Sequence, residues 1–341
     1  MLAHGWNATA YQIVNPGIAH WFSARGDAVV GYTDRSGVRV VAGAPVCPPE
    51  RLAEVAAEFE GEASGAGMAV CYFGAEGRVE SLYRGDPRRA RVLLGAQPVW
   101  DPRRWPAIVR SAASIRAQLN RARNKGMAVV EWTPERAELD PALRAILAQW
   151  LATRGLPPLH FLIEPETLSR LRDRRMFVAE RHGVPVAFLV ASPVPRRRGW
   201  LVEQFVRGTG AVNGTTQLMV DAAMRGLAAG GAEYVTLGLA PLSRHGDQEE
   251  DNPLWLRGVL GWVRAHGRRF YNFDGLDAFK ARLQPERWEP VFAIASAAEF
   301  SPRFLYAIAG AFSGGSPVVT VARGLLRAAS TELRWMAGGR G

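Results

Sequence analysis

A chain of 341 residues with 48% hydrophobic content exceeds the usual single-domain size and holds enough apolar material for two cores. Two cysteines, Cys47 and Cys71, argue against a disulfide framework and fit a reducing cytoplasm, and no run of apolar residues is long enough for a spanning helix. The formal net charge of +10 points to an anionic partner, either nucleic acid or an acidic membrane face.

The opening Met1-Leu-Ala-His-Gly-Trp6 lacks a basic start and a long apolar run, so no signal peptide is expected. Residues 20 to 46 read as strands around the turn Asp34-Arg-Ser-Gly37. Pro48-Pro-Glu50 opens a helix to about Glu60, and Ala69-Val-Cys-Tyr-Phe73 is a short apolar strand. Strand, strand, helix, strand predicts an α+β layer arrangement.

The clearest helix covers residues 103 to 125, where Ile108, Ala112, Ile115, Leu119 and Ala122 form one apolar stripe. Its other faces carry Arg103, Arg104, Arg110, Arg116, Arg121, Arg123 and Lys125, with scarcely any acid. Such a row repels itself, so it predicts a surface that tracks an anion, the bland alternative being a solvated face. Strand Met127–Trp132 closes a first domain, residues 1–132. A Thr133-Pro-Glu-Arg start opens the next helix, which Gly155-Leu-Pro-Pro158 stops near the domain seam. A second domain, 133–300, repeats the layer logic: strands about Met176–Glu180 and Val184–Ala191 meet at His182-Gly183, a third strand covers Gly199–Val206, a helix starts at Asn213, and a strand follows at Glu233–Leu237. Residues 301–341 form a basic amphipathic tail, suited either to an anionic membrane plane or to capping the second core.

Forty of the 42 basic residues are arginine, leaving only Lys125 and Lys280 as lysines. A lysine that persists in so arginine-rich a chain is a candidate for chemistry that needs a compact ammonium with a movable pKa. Lys280 stands in the aromatic stretch Phe270–Pro290, whereas Lys125 precedes a glycine at a helix end. Ahead of the helix at Asn213 runs Gly208-Thr-Gly-Ala-Val-Asn-Gly-Thr215, with Asn213 as the expected N-cap and the N–H groups of residues 214 to 217 as an anion site. Acetyltransferases of the Gcn5 type hold the coenzyme A pyrophosphate on a Gln/Arg-x-x-Gly-x-Gly/Ala run here. Arg207 and Gly210 match that run and Val212 does not, leaving another phosphate or a plain helix cap as readings. Ser243-Arg-His245-Gly-Asp247 is too compact for a hydrolase triad and has no nucleophile elbow. The histidines and cysteines show no metal spacing, so no metal is expected.

Four ordered motifs carry a family likeness: Ser114-Ile-Arg-Ala-Gln-Leu-Asn-Arg-Ala-Arg123, Asn213-Gly through Asp221-Ala, Leu237-Gly-Leu-Ala-Pro-Leu242, and Phe270-Tyr-Asn-Phe-Asp-Gly-Leu with Phe279-Lys280 and Trp288-Glu-Pro290. They resemble the cytosolic catalytic domain of the phosphatidylglycerol lysyltransferase, or aminoacyl-phosphatidylglycerol synthase, family. The resemblance implies two tandem Gcn5-type acetyltransferase-like domains, each a mixed, mostly antiparallel sheet flanked by helices, and no cofactor. It also implies transfer of an amino acid from aminoacyl-tRNA to the hydroxyl of phosphatidylglycerol, by an enzyme lying peripherally on the inner face of the cell membrane. Family members usually carry a multi-pass membrane part, so a separate membrane flippase is an implied partner. The implied catalytic group is Lys280 supported by Tyr271 and Asn272, with Asp221 or Glu203 as the carboxylate that holds an ammonium or relays a proton. Implied substrate contacts are Arg207, Asn213, Gly214, Gln217, Gly238, Phe273, Asp274, Arg282 and Trp288, and implied tRNA or phosphate contacts are Arg116, Arg121, Arg123 and Lys125. Competing readings are a coenzyme A-dependent N-acyltransferase, a Fem-type peptidoglycan aminoacyltransferase, and a binding protein without turnover.

Overall fold

The computed structural model describes residues 1–153, 159–243, 245, 252–266 and 273–314. The first half runs β1 (Ala19–Phe22), β2 (Val29–Arg35), β3 (Val38–Ala42), α1 (Leu52–Gly65), β4 (Ala69–Ala75), α2 (Gly77–Tyr83) and β5 (Ala90–Trp100). Next come α3 (Trp105–Ser111), α4 (Ala113–Arg123), β6 (Met127–Trp132), α5 (Pro134–Leu139), α6 (Pro141–Ala152), β7 (Arg175–Arg181), β8 (Val184–Val194), β9 (Gly199–Arg207) and α7 (Thr215–Ala229). The described residues end with β10 (Tyr234–Thr236), β11 (Ala240–Pro241), α8 (Leu254–His266), α9 (Phe273–Arg282), β12 (Arg287–Ala295) and α10 (Pro302–Ser313).

The strands form one mixed sheet in the order β1-β2-β3-β4-β12-β5-β10-β9-β8-β7-β6, with β11 added on β5. It is mostly antiparallel, the parallel pairs being β3–β4 and β9–β10. Both expected hairpins close on two-residue turns in the left-handed region, Ser36-Gly37 between β2 and β3 and His182-Gly183 between β7 and β8.

Strand order departs from the expected division at residue 132. Strand β6 sits at the far edge of the second half, against β7, while β12 returns to lie between β4 and β5. Strand β6 thus pairs with a strand from after residue 132, and β12 with strands from before it. Trp132 explains the placement of β6, because its ring packs with Met176, Val178 and the α6 residues Leu143 and Ile146.

The helix expected over residues 103–125 is two helices, broken at Ala112, whose backbone is extended (φ −91°, ψ 95°). Its apolar stripe is as expected: Ala112, Ile115, Leu119 and Ala122 are buried beside α7, with Ile108 partly buried. The cationic row differs from expectation. Arg103 pairs with Asp101 (2.8 Å) and Glu233 (2.9 Å), Arg104 with Glu286 (2.7 Å), and Arg123 with Asp221 (3.1 Å). Arg116 donates to the carbonyls of Val109 (3.2 Å) and Arg110, which the break at Ala112 leaves without helical partners. Acids distant in sequence pair with three of the seven cations, Arg103, Arg104 and Arg123, which lessens the self-repulsion inferred from local spacing.

In the tail, α10 caps the first core rather than the second, burying Phe304, Ala307, Ile308 and Ala311 against Val38 and Val40. Arg303 donates from that helix to the carbonyls of Ser36 (2.8 Å) and Gly37 (2.6 Å). The remainder of the expected membrane tail lies outside the described residues. No helix among the described residues is long and apolar enough to cross a membrane. Cys47 and Cys71 are both free and buried.

Candidate active site

Strands β9 and β10 run parallel for only three residues, Gly199–Leu201 against Tyr234–Thr236. The chain then turns away from β9 at Gly238 (φ +68°) and continues along β5, which β10 already borders, as β11. A Cβ at Gly238 would lie 3.2 Å from Leu201, in a backbone conformation that disfavours side chains. The outer part of β9, Val202–Arg207, consequently has β8 on one side and, among the described residues, no strand on the other. This opens a wedge in the sheet.

Helix α9 closes the wedge. Phe279 meets Phe205 of β9 edge to face, with ring centroids 6.1 Å apart, and the indole N–H of Trp100 donates to the Leu283 carbonyl (3.1 Å) at the helix end. Lys280 is only 3% exposed, and its Nζ donates to the carbonyls of Gly238 (2.7 Å) and Leu239 (2.9 Å) at the turn that makes the wedge. Two of the three N–H groups of the ammonium are thus engaged, and among the described residues none accepts the third. Burial pulls its pKa from 10.5 down to about 7, against the opposing field of Asp277 one turn earlier. Asp277 has one oxygen 3.4 Å from His245 Nε2 and the other buried without a hydrogen-bond partner. The imidazole of His245 stacks on Trp288 at 4.5 Å, which ties Trp288 to the same cluster.

A cleft of about 290 Å³ opens next to this, at the start of α7. Arg207 from the end of β9, Gln118 and Arg121 from α4, Asn213, Thr216 and Gln217 at the head of α7, and Phe279 all line it. The helix cap is Gly214 (φ +93°) rather than Asn213, which makes no capping bond. A Cβ at Gly214 would come within 2.3 Å of the Gln118 carbonyl, so glycine lets α7 start directly against α4. Gly214→Ala is expected to destabilise the protein by about 2–3 kcal/mol, read as a lowered urea midpoint with unchanged slope. Val212 accepts the Thr215 N–H (3.2 Å), while among the described residues the N–H groups of Thr216 and Gln217 have no acceptor. With the positive end of the helix dipole and two guanidiniums, the cleft suits an anion. Phe279 connects it to Lys280, the next residue along α9.

The structure thus brings Arg121, Arg207, Asn213, Gly214 and Gln217 into one cleft, and Gly238, Lys280 and Trp288 to the neighbouring wedge. Other expected residues stand elsewhere. Asp221 is buried two turns down α7, where it accepts from the Trp105 indole (2.9 Å), Arg225 (3.0 Å) and Arg123 (3.1 Å), so it clamps α3, α4 and α7 together. Glu203 sits at an irregularity of β9 and is held by both nitrogens of Arg174 (2.8 and 3.2 Å), whose guanidinium lies over Tyr11. Arg116 and Arg123 are occupied as described above, and Lys125 is exposed past the end of α4, away from the cleft lining. Asp274 lies in the first turn of α9, and Arg282 bonds the Ala278 carbonyl (3.1 Å) at its exposed last turn. Tyr271, Asn272 and the Phe273 side chain lie outside the described residues. Sequence reasoning missed Gln118, Asp277, Phe279 and His245. Helical spacing signals two of them, Asp277 three residues before Lys280 and Gln118 three before Arg121.

A splayed mixed sheet with a helix N-terminus at its mouth is the architecture of the acetyltransferase-like fold. A family model described as phosphatidylglycerol lysyltransferase, C-terminal, matches residues 2–295, and the chain belongs to that family. Among solved structures it is similar to the C-terminal domain of a protein designated lysylphosphatidylglycerol synthetase from Agrobacterium fabrum, at 21% identity and TM-score 0.77, covering 90% of this chain and 93% of that one. It is also similar to L-PGS from Bacillus licheniformis, at 20% identity and TM-score 0.74, covering 96% and 94%. FemX shares the fold at 9% identity and TM-score 0.52, covering 88% and 97%. A search of curated proteins found no match.

Proposed function

We propose that the protein transfers an aminoacyl group from aminoacyl-tRNA to a glycerol hydroxyl of phosphatidylglycerol, working at the inner face of the cell membrane without a cofactor. The observation that carries this reading is the buried Lys280 ammonium at the splayed strands, one residue from a cationic cleft. A phosphate near the tRNA 3′ end would sit between Arg121, Arg207 and the head of α7, placing the ester over the wedge. The lipid hydroxyl oxygen attacks the ester carbonyl carbon, and the free N–H of Lys280 faces the oxyanion that develops. The carbon–oxygen bond to the ribose then breaks, and the ribose hydroxyl leaves with the proton lost by the acceptor. An aminoacyl ester is already activated, so positioning and charge stabilisation supply most of the acceleration. The product stays in the leaflet where it forms, and moving it across would fall to a separate membrane flippase.

Incubation with a pool of radiolabelled aminoacyl-tRNAs and phosphatidylglycerol vesicles should place label in the lipid extract. Label that enters a peptidoglycan precursor instead, or transfer that requires coenzyme A, would contradict the reading. Arg121→Ala and Arg207→Ala should each weaken charged-tRNA binding about five- to tenfold and lower the slope of log affinity against log salt by about 1. Filter binding over a salt series measures both.

A further inference from the structure

We infer that Asp277 is the carboxylate that holds the α-ammonium of the incoming aminoacyl group, an inference that rests on the aminoacyl donor proposed above. Every aminoacyl ester carries that ammonium on the carbon next to the reacting carbonyl. An acid that binds it must therefore stand beside the group that faces the oxyanion. Asp277 does so: it precedes Lys280 by three residues on α9, and positions three apart on a helix lie side by side, about 5–6 Å apart at Cβ. The acids of the neighbouring elements are already taken. Glu203 on β9 is held by Arg174, Asp221 on α7 by Arg123 and Arg225, and Glu289 on β12 by Arg197 (2.6 Å) and Arg287 (2.9 Å). Among the described residues Asp277 pairs with no arginine, and its one charged-group contact is His245.

That contact leaves one side of the carboxylate open. His245 Nε2 lies 3.4 Å from Oδ2, and the imidazole is kept there by stacking on Trp288, the two rings 17° from parallel. Oδ1 is shielded from water and receives no hydrogen bond. A carboxylate oxygen without a donor is unfavourable, and a ligand N–H in that place removes the penalty. The side chain as a whole is 18% exposed, and the soft terminal torsion of a carboxylate lets either oxygen turn to an arriving donor. Charge narrows the ligand to a cation, because an ionised carboxylate only accepts. The same group keeps the substrate ammonium from repelling Lys280 in a site where like charges act strongly on each other. Once the oxyanion forms, the charges of Lys280, the ammonium, Asp277 and the oxyanion sum to zero. Recognition at this point requires a free α-amine and is indifferent to the side chain.

The test is single-turnover transfer to a short-chain phosphatidylglycerol, kept below its micelle concentration, by the full chain as wild type, Asp277→Asn and Asp277→Glu. The donor is a pool of radiolabelled aminoacyl-tRNAs, free at the α-amine in one half and acetylated there in the other, at about pH 6.5, where the free amine is charged. Wild type should prefer the free-amine donors by about ten- to a hundredfold, the range for a charge-assisted hydrogen bond, and Asp277→Asn should bring that ratio to within about threefold of one. Lys280 meets both donors alike, so any change in its charge cancels from the ratio. Asp277→Glu keeps the carboxylate and should retain part of the preference, which decides the matter if Asp277→Asn fails to fold. The inference is overturned if wild type uses both donors equally. It is also overturned if Asp277→Asn keeps the wild-type ratio, as it would if the carboxylate read a cationic side chain instead. Should wild type transfer from neither donor, filter binding of the two pools takes over. Tighter binding of the free-amine pool that Asp277→Asn abolishes would uphold the ammonium site while refuting the proposed reaction, and equal binding would overturn both.

Discussion

Lys280→Ala is expected to lower single-turnover transfer by about a hundred- to a thousand-fold, the usual loss when one preorganised donor to an oxyanion is removed. Its effect on folding should look different. The folded pKa of Lys280 lies below its unfolded value, at about 7 against 10.5, so the unfolded chain binds more protons between those limits. Stability contributed at this position is therefore greatest above pH 10.5 and is lost as pH falls toward 7. Relative to Lys280→Met, wild type should gain stability as pH rises from about 7 to 10, measured by urea unfolding at each pH. A group whose charge opposes folding and yet is held at a splayed sheet is better explained by chemistry than by packing. A variant that kept near-normal turnover with an intact fold would remove Lys280 from the mechanism.

Asp221→Ala should act on stability and leave chemistry nearly unchanged per folded molecule. The carboxylate is 3% exposed and satisfies the fully buried Trp105 indole together with Arg123 and Arg225. Its loss strands a buried donor and unties two half-exposed guanidiniums, a change expected to cost about 2–4 kcal/mol. Asp221→Asn keeps an acceptor for the indole and should cost less. A lowered transition midpoint with normal transfer at low temperature is the predicted result. Lost transfer without lost stability would return Asp221 to the catalytic group.

How much of this was legible in the sequence follows from the range of each interaction. Ser36-Gly37 and His182-Gly183 were legible because a two-residue turn with positive φ is a local demand. The stripe from Ile108 to Ala122 was legible from helical periodicity, which persists through the break at Ala112 because both helices face α7. Lys280 stood out by the scarcity of its type and is held where that scarcity matters. Strand order was not legible, since no local pattern tells β12 to enter between β4 and β5. The fate of the arginine row was equally hidden, because Arg104 finds its acid 182 residues away in Glu286. The surroundings of Asp221 were hidden for a related reason, because only tertiary contact reveals a tryptophan indole and two arginines around it.

The account rests most directly on the protonation state of one ammonium, which the pH dependence of single-turnover transfer to short-chain phosphatidylglycerol reports. The rate should fall as pH rises through about 7, where Lys280 loses its charge. Asp277→Asn removes the carboxylate that favours the charged form and should move the midpoint to lower pH. A rate that climbs through that range, or a midpoint that Asp277→Asn leaves in place, would contradict a charged Lys280 at the reacting ester.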